Sequence, residues 1–302
     1  MRTLEASGDR RSEVGATDVV SGLRPPVSDI RNALTIDFED WFCVSNMNHL
    51  IDRKDWDLCE LRVEGSAGRV LDLLDRHGTK ATFFVLGWIA DRVPGLVREI
   101  ERRGHEIASH GYGHRMVTDL SAAEFEDDLE RGLEALRKAG VTQEIIGFRA
   151  PSFSIVERTT WALPILERRR FKYDSSMMPV GFHPDYGVPN GPLRPFKVTD
   201  GMTELPLSCI ELFGRRVPCC GGAYFRLLPY AFTRYGIRRC HAEGRGVVFY
   251  FHPWEIDPNQ PRMKLPLAKQ IRHYYGLRHT ERKLERLLTD FRFTTIREVL
   301  GL

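Results

Sequence analysis

Four short apolar runs, spaced along the chain and separated by segments of helical periodicity, each stop on an ionisable side chain. Ala33-Leu34-Thr35-Ile36 runs into Asp37-Phe38-Glu39-Asp40, Glu106 to Ser109 into His110, Ile145 to Phe148 into Arg149, and Phe249-Tyr250-Phe251 into His252. Ala81 to Leu86 reads as a further buried strand. Helices are expected at Ala67 to His77, which carries Val70, Leu71, Leu73 and Leu74 and ends at Gly78, at Val93 to Arg103 before Gly104, and from about Ser121 to Lys138. Such alternation specifies a mainly parallel sheet with helices outside it. It also gathers the ionisable residues at the carboxyl ends of the strands, where α/β folds place their chemistry.

The 302 residues, 42% of them hydrophobic, suffice for a full core and exclude disorder of the whole chain. With 44 Lys and Arg against 41 Asp and Glu, the bulk charge gives no reason to expect nucleic acid or an anionic membrane as partner. Residues 1–30 read as a mobile tail and 31–302 as one folded unit. Within it, about 177–225 is rich in Pro and Gly and should be irregular, with short strands. Regular structure resumes with a helix near Tyr230 to Glu243, the strand Gly246 to Phe251 and a polar helix from about Thr280 to Asp290 leading to a last strand. The N-terminus lacks the apolar core of a signal peptide, and no stretch reaches the roughly 18 apolar residues of a membrane span. A cytoplasmic protein is expected. The six cysteines show no C-x-x-C spacing, so buried thiols are the expectation, with vicinal Cys219 and Cys220 a strand-edge pair rather than a soft-metal site or strained bridge.

Each strand end has a chemical and a bland reading. His110 and His114 stand at i and i+4, which aims both rings at one ion if the segment coils into a helical turn; alternatively they are capping or surface histidines. Asp37, Glu39 and Asp40 supply an oxygen ligand and a spare carboxylate for base catalysis, or cap a helix starting near Trp41. Strand alternation puts Asp37 and Glu39 on one face, favouring Asp37 as base and Glu39 as ligand, with Asp40 still open as ligand. Arg149, followed by Ala150-Pro151, holds a carboxylate base ionised or makes a structural ion pair. His252, stopped by Pro253, is the proton-donor candidate against the alternative of a satisfied core histidine, and Asp174 can pair with His252 or Arg149.

Taken in order, these five segments resemble the five motifs of the NodB-homology polysaccharide deacetylases, carbohydrate esterase family 4. The first motif, Asp37-Phe38-Glu39-Asp40-Trp41-Phe42, and the segment from Phe251 to Leu277 are similar to those of the subfamily tied to exopolysaccharide and exosortase loci, with a C-terminal extension over about 256–302. The resemblance implies a distorted, seven-stranded (β/α) barrel. It also implies a divalent metal, zinc before others, held by His110, His114 and an acid, with Asp37 as base, Arg149 and Asp174 in support and His252 as acid. The implied substrate is an N-acetylated glycan, polymeric or lipid-linked, from which acetate is released, with peripheral association to a polysaccharide-assembly system. The competing readings are an amidohydrolase acting on a non-sugar amide and an inactive carbohydrate-binding barrel.

Overall fold

The computed structural model describes residues 30–181 and 186–302. The tail expected over residues 1–30 lies outside the described residues but for its last position. The main sheet is built from β1 (Ala33–Phe38), β2 (Thr82–Val85), β3 (Glu106–Ser109), β4 (Gly147–Phe148), β5 (Tyr173–Asp174), β6 (Phe196–Lys197), β7 (Thr203–Glu204) and β10 (Val248–Phe251). β8 (Cys209–Leu212) and β9 (Arg215–Pro218) form a separate hairpin. The order is β10-β1-β2-β3-β4-β5-β7-β6. Seven strands run parallel, as the implied barrel requires, and β6 is added antiparallel to β7 at one edge. The sheet curls into a half-barrel open between β10 and β6.

Helices fill the crossovers: α1 (Val63–Arg76), α2 (Gly87–Arg92), α3 (Pro94–Arg102), α4 (Ala122–Ala139), α5 (Ala162–Arg168), α6 (Gly222–Leu227) and α7 (Tyr230–Ala242). α8 (Leu267–Tyr274), α9 (Leu277–Asp290) and α10 (Ile296–Leu300) follow β10. α1 begins four residues earlier than periodicity suggests, because Val63 is its first buried contact. α2 is an addition that the sequence reading missed. α4 agrees, opening on a Ser121/Glu124 capping box and closing on left-handed Gly140.

The predicted last strand does not form. Thr294 makes a single bridge to Ala33, after which Thr295 caps the short helix α10. Ile296 N–H donates to Thr82 Oγ1 at 2.8 Å and Arg297 N–H to Glu106 Oε2 at 3.1 Å, so buried polar groups of β2 and β3 hold a helix at that place.

Alternation along β1 sorts the molecule into two layers. Leu34, Ile36 and Phe38 face the helices in the main core, where Phe42, Trp56 and Trp88 pack edge to face. Thr35 and Asp37 face the inside of the half-barrel, which holds Arg149, Asp174 and Glu204, all fully or almost fully buried. There Asp174 Oδ1 accepts from Ser176 Oγ at 2.5 Å and Glu204 Oε1 from Met177 N–H at 2.9 Å. Burial pushes both carboxyls up, Glu204 well above the usual range with the charge of Asp174 adding to it.

A carboxyl with a raised folded-state pKa binds more protons folded than unfolded, so its contribution to stability falls as pH rises above its unfolded value of 4.5. Glu204→Gln, which copies the protonated form, should gain on the wild type in thermal melts taken from about pH 5 to about pH 8. Parallel melting curves across that range would show that the pair shares no proton.

Candidate active site

A cleft opens at the carboxyl ends of the strands, lined on one side by Asp37, Glu39, His110 and His114 and on the other by Arg226, Tyr250, His252, Trp254 and Glu255. Three donors converge on one point: the ligand atoms of Glu39, His110 and His114 all lie within 4.8 Å of one another. His110 Nδ1 bonds the Arg149 carbonyl at 2.8 Å, which fixes the ring and leaves Nε2 its lone pair. Burial lowers the His110 pKa to about 4, keeping the imidazole neutral, the form that ligates metals. Glu39 Oε2 stands 2.9 Å from His114 Nε2 yet makes no hydrogen bond in that geometry, and His114 Nδ1 is also unpartnered. Two buried nitrogens and an unsatisfied carboxylate oxygen facing one point suit a cation in the N/O ligand class that zinc accepts.

The 110–114 segment reaches this geometry as an irregular turn, not the predicted helical one. His114 sits at φ 49° and Gly111 at φ 70°. Asp128 of α4 clamps the turn from below, accepting Tyr112 N–H at 2.8 Å and Gly113 N–H at 3.1 Å. A side chain at Gly111 would meet Asp128 Oδ2 at 2.6 Å, so both the conformation and the close approach call for glycine there. Arg53 donates to the carbonyls of Gly113 and His114 from the outside. Neither Asp128 nor Arg53 was singled out in the sequence, since each acts on backbone and carries no motif.

Arg149 is fully buried. Nη1 donates to Asp37 Oδ1 at 2.7 Å and Thr35 Oγ1 at 2.8 Å, Nε to the Ser175 carbonyl at 2.9 Å and Nη2 to Ser175 Oγ at 2.9 Å. Burial alone would raise the Asp37 pKa, but the charge of Arg149, with His110 and His252 beside it, holds the carboxyl below the usual range. Asp37 Oδ2 lies 3.7 Å from His252 Nε2.

His252 finds a partner that the sequence reading did not name. Nδ1 bonds Glu255 Oε1 at 2.6 Å, and Glu255 Oε2 accepts from Arg226 Nε at 2.5 Å. Arg226 in turn donates to the carbonyls of Arg272, His273 and Tyr275. Burial would lower the His252 pKa, but Glu255 with Glu39 and Asp37 pushes it up to about 9. A carboxylate three residues after a strand-end histidine, at the start of a short turn of 3-10 helix, is the signal that was available.

Two candidates are not brought to the cleft. Asp40 turns away: Oδ1 accepts Trp41 N–H at 2.7 Å and Oδ2 accepts Arg62 and Val63 N–H at 2.6 and 2.8 Å, capping α1 rather than a helix at Trp41. Asp174 belongs to the buried pair with Glu204, behind Arg149 and away from His252. Trp41 is buried with its Nε1–H on the Glu60 carbonyl and Tyr112 lies under Arg131, whereas Trp254 lines the cleft, stacked between His252 and His273. Cys219 and Cys220 are buried thiols with sulfurs 3.5 Å apart.

Residues 56–169 match the polysaccharide deacetylase family, and that stretch contains His110, His114 and Arg149. Over those residues this chain is similar to the polysaccharide deacetylase family. Residues 175–301 match a domain of unknown function, DUF3473, and contain Arg226, His252 and Glu255. Asp37 and Glu39 precede both stretches. The chain is 36% identical over 112 residues to the peptidoglycan deacetylase-like protein FGM2 of Gibberella zeae, covering 36% of this chain and 32% of that one. It is 35% identical over 96 residues to a peptidoglycan-N-acetylglucosamine deacetylase of Bacillus cereus, covering 31% and 34%. It thus spans about a third of the length of these curated relatives. Among solved structures, it superposes on a putative polysaccharide deacetylase from Mycobacterium smegmatis with TM-score 0.58 at 22% identity, over 90% of each chain. On the Bc1960 peptidoglycan N-acetylglucosamine deacetylase the TM-score is 0.50 at 16% identity, over 92% of this chain and 90% of that one. These likenesses concern the fold.

Asp40→Ala would leave the buried N–H groups of Trp41 and Val63 and the part-buried N–H of Arg62 without an acceptor and should cost about 2–3 kcal/mol in urea denaturation. Metal content should be unchanged, whereas His110→Ala should lose the metal with little change in stability. Loss of metal on replacing Asp40 would return it to the ligand set.

Proposed function

We propose that this chain is a metal-dependent hydrolase that removes N-acetyl groups from the amino sugars of a polysaccharide or lipid-linked oligosaccharide, releasing acetate. The supporting observation is the meeting, in one cleft, of a three-donor cluster, a carboxylate held ionised by Arg149 and a histidine held by Glu255. Residues 31–302 serve as one catalytic unit in this reading, because both matched stretches contribute to the cleft. The deacetylase match and the peptidoglycan deacetylases among the relatives agree with it. The first motif and the C-terminal segment, which resemble those of the exopolysaccharide-locus subfamily, favour a glycan of that class.

Glu39, His110 and His114 would hold a divalent ion, with zinc the best fit to two imidazoles and one carboxylate. When bound, such an ion supplies Lewis acidity toward an amide carbonyl and lowers the pKa of a water. Asp37 has one oxygen committed to Arg149 and the other facing the cleft, so Oδ2 is the atom that takes the proton from the attacking water. His252 has Nδ1 committed to Glu255, which leaves Nε2–H to protonate the departing sugar amine. Its raised pKa keeps that proton in place at neutral pH. Arg149 maintains the charge and orientation of the base, and Asp174 supports it from the buried pair behind. The cleft keeps both histidines, which argues against a metal-free amidohydrolase.

Acetate release from N-acetylated glycans should be measured on the purified protein as isolated, after chelation and with zinc added back. Chelation should abolish release and zinc restore it. Asp37→Asn and His252→Ala should each lower turnover by about 10²–10⁴-fold while the folded, metal-loaded state persists by circular dichroism and metal analysis. Near-normal turnover in either variant would remove that residue's role, and absence of both metal and release would favour the inactive binding barrel.

A further inference from the structure

The balanced charge of the whole chain hides a strongly one-sided segment. Between Asp257 and Glu281 there is no acid, while Arg262, Lys264, Lys269, Arg272 and Arg278 supply five positive charges. α8 lies at its centre, and His273 is the helix's one buried residue. Leu265 and Leu277 anchor the two ends of this stretch in the core, while three apolar residues between them point the other way. Leu267, Ile271 and Tyr275, at i, i+4 and i+8, are 72%, 46% and 60% exposed and line one shallow depression with Lys264 and Arg262 at its edge. Nothing in the core explains an outward apolar stripe, because α8 is held from its inner side by other means. His273 stacks on Trp254 with ring centres 4.6 Å apart, and the Arg226 guanidinium binds three carbonyls at the helix end. Lys269 Nζ lies 3.5 Å from His49 Nδ1, which brings the loop bearing half-exposed Leu50 alongside.

We propose that this face of α8 docks on an anionic lipid bilayer, with Leu267, Ile271 and Tyr275 entering the headgroup region and Lys264 and Lys269 meeting lipid phosphates. An apolar stripe flanked by Lys and Arg, in a stretch of sequence without acids, is the pattern of a helix lying in the interfacial plane. Three side chains fall well short of the roughly 800 Å² per partner that a stable protein interface buries, whereas a bilayer needs no shape-matched partner surface. The docking face stands without the deacetylase reading. Only one consequence rests on that reading: Arg272, the neighbour of Ile271, lines the catalytic cleft, so docking would hold the cleft at the headgroups, where a lipid-linked sugar is presented.

Flotation of the full chain with phosphatidylcholine vesicles, and with the same vesicles containing phosphatidylglycerol, tests this independently of acetate release. Binding should require phosphatidylglycerol and weaken with added salt. Each basic residue near the surface contributes roughly a fivefold factor, so Lys264→Glu with Lys269→Glu should weaken binding by at least about 25-fold. Leu267→Asp or Ile271→Asp should abolish it, with circular dichroism unchanged. No flotation on anionic vesicles, equal flotation on both kinds, or undiminished flotation of the Leu267→Asp protein would overturn the proposal. Self-association that is lost in Ile271→Asp, without vesicle binding, would overturn it in favour of a second copy on this face.

Discussion

The buried ion pair between Arg149 and Asp37 is the constraint on which the interior of the half-barrel depends. A guanidinium taken wholly out of water costs several kcal/mol to desolvate unless every donor is met. Here one side chain from the end of β4 reaches Thr35 and Asp37 on β1 and Ser175 just past β5, with its plane over the Phe84 ring of β2 at 4.1 Å. Four strands are thereby referenced to a single rigid planar group. Removal of either side chain, with its hydrogen bonds as well as its charge, would strand the other in a medium that cannot solvate it.

Around that anchor the cleft is assembled from two halves that are fixed in different ways. The half that holds Glu39, His110 and His114 is shaped by backbone: a left-handed His114, a glycine pressed against Asp128 and carbonyls gripped by Arg53. The half that holds His252 is shaped by charge, in a line running from Arg226 through Glu255 to His252. Asp37 lies between them, facing Arg149 on one oxygen and His252 on the other.

Strand ends were the legible part of the sequence, because an apolar run broken by an acid or a histidine survives any uncertainty in register. The alternation at Asp37, Phe38 and Glu39 favoured the two inward carboxylates but left Asp40 open as a ligand, because its role as a cap depends on where residues 62 and 63 come to rest. Asp174 was open to pairing with His252 or Arg149; the charge of Arg149 acts on it, and the carboxylate bonded to His252 is Glu255, three residues along the chain. The expected last strand failed because Thr82 and Glu106 offer buried acceptors to a helix start, a demand invisible in residues 291–302 themselves. Bulk charge misled in the same way, since averaging over 302 residues erased a stretch of 23 without an acid.

The grip of Arg226 on the carbonyls of Arg272, His273 and Tyr275 also bears on how such a chain can be cut and inherited. That hydrogen-bonded relay lies wholly within residues 175–301, and its last member, His252, faces Asp37 and Glu39, which precede both matched stretches. A chain pared down to residues 56–169 would retain the histidine pair and lose His252 together with Asp37 and Glu39. Exchange of the second region between relatives would carry the arginine, the glutamate and the helix-end carbonyls together, leaving the approach of His252 to Asp37 and Glu39 as the fit that each new pairing has to reproduce.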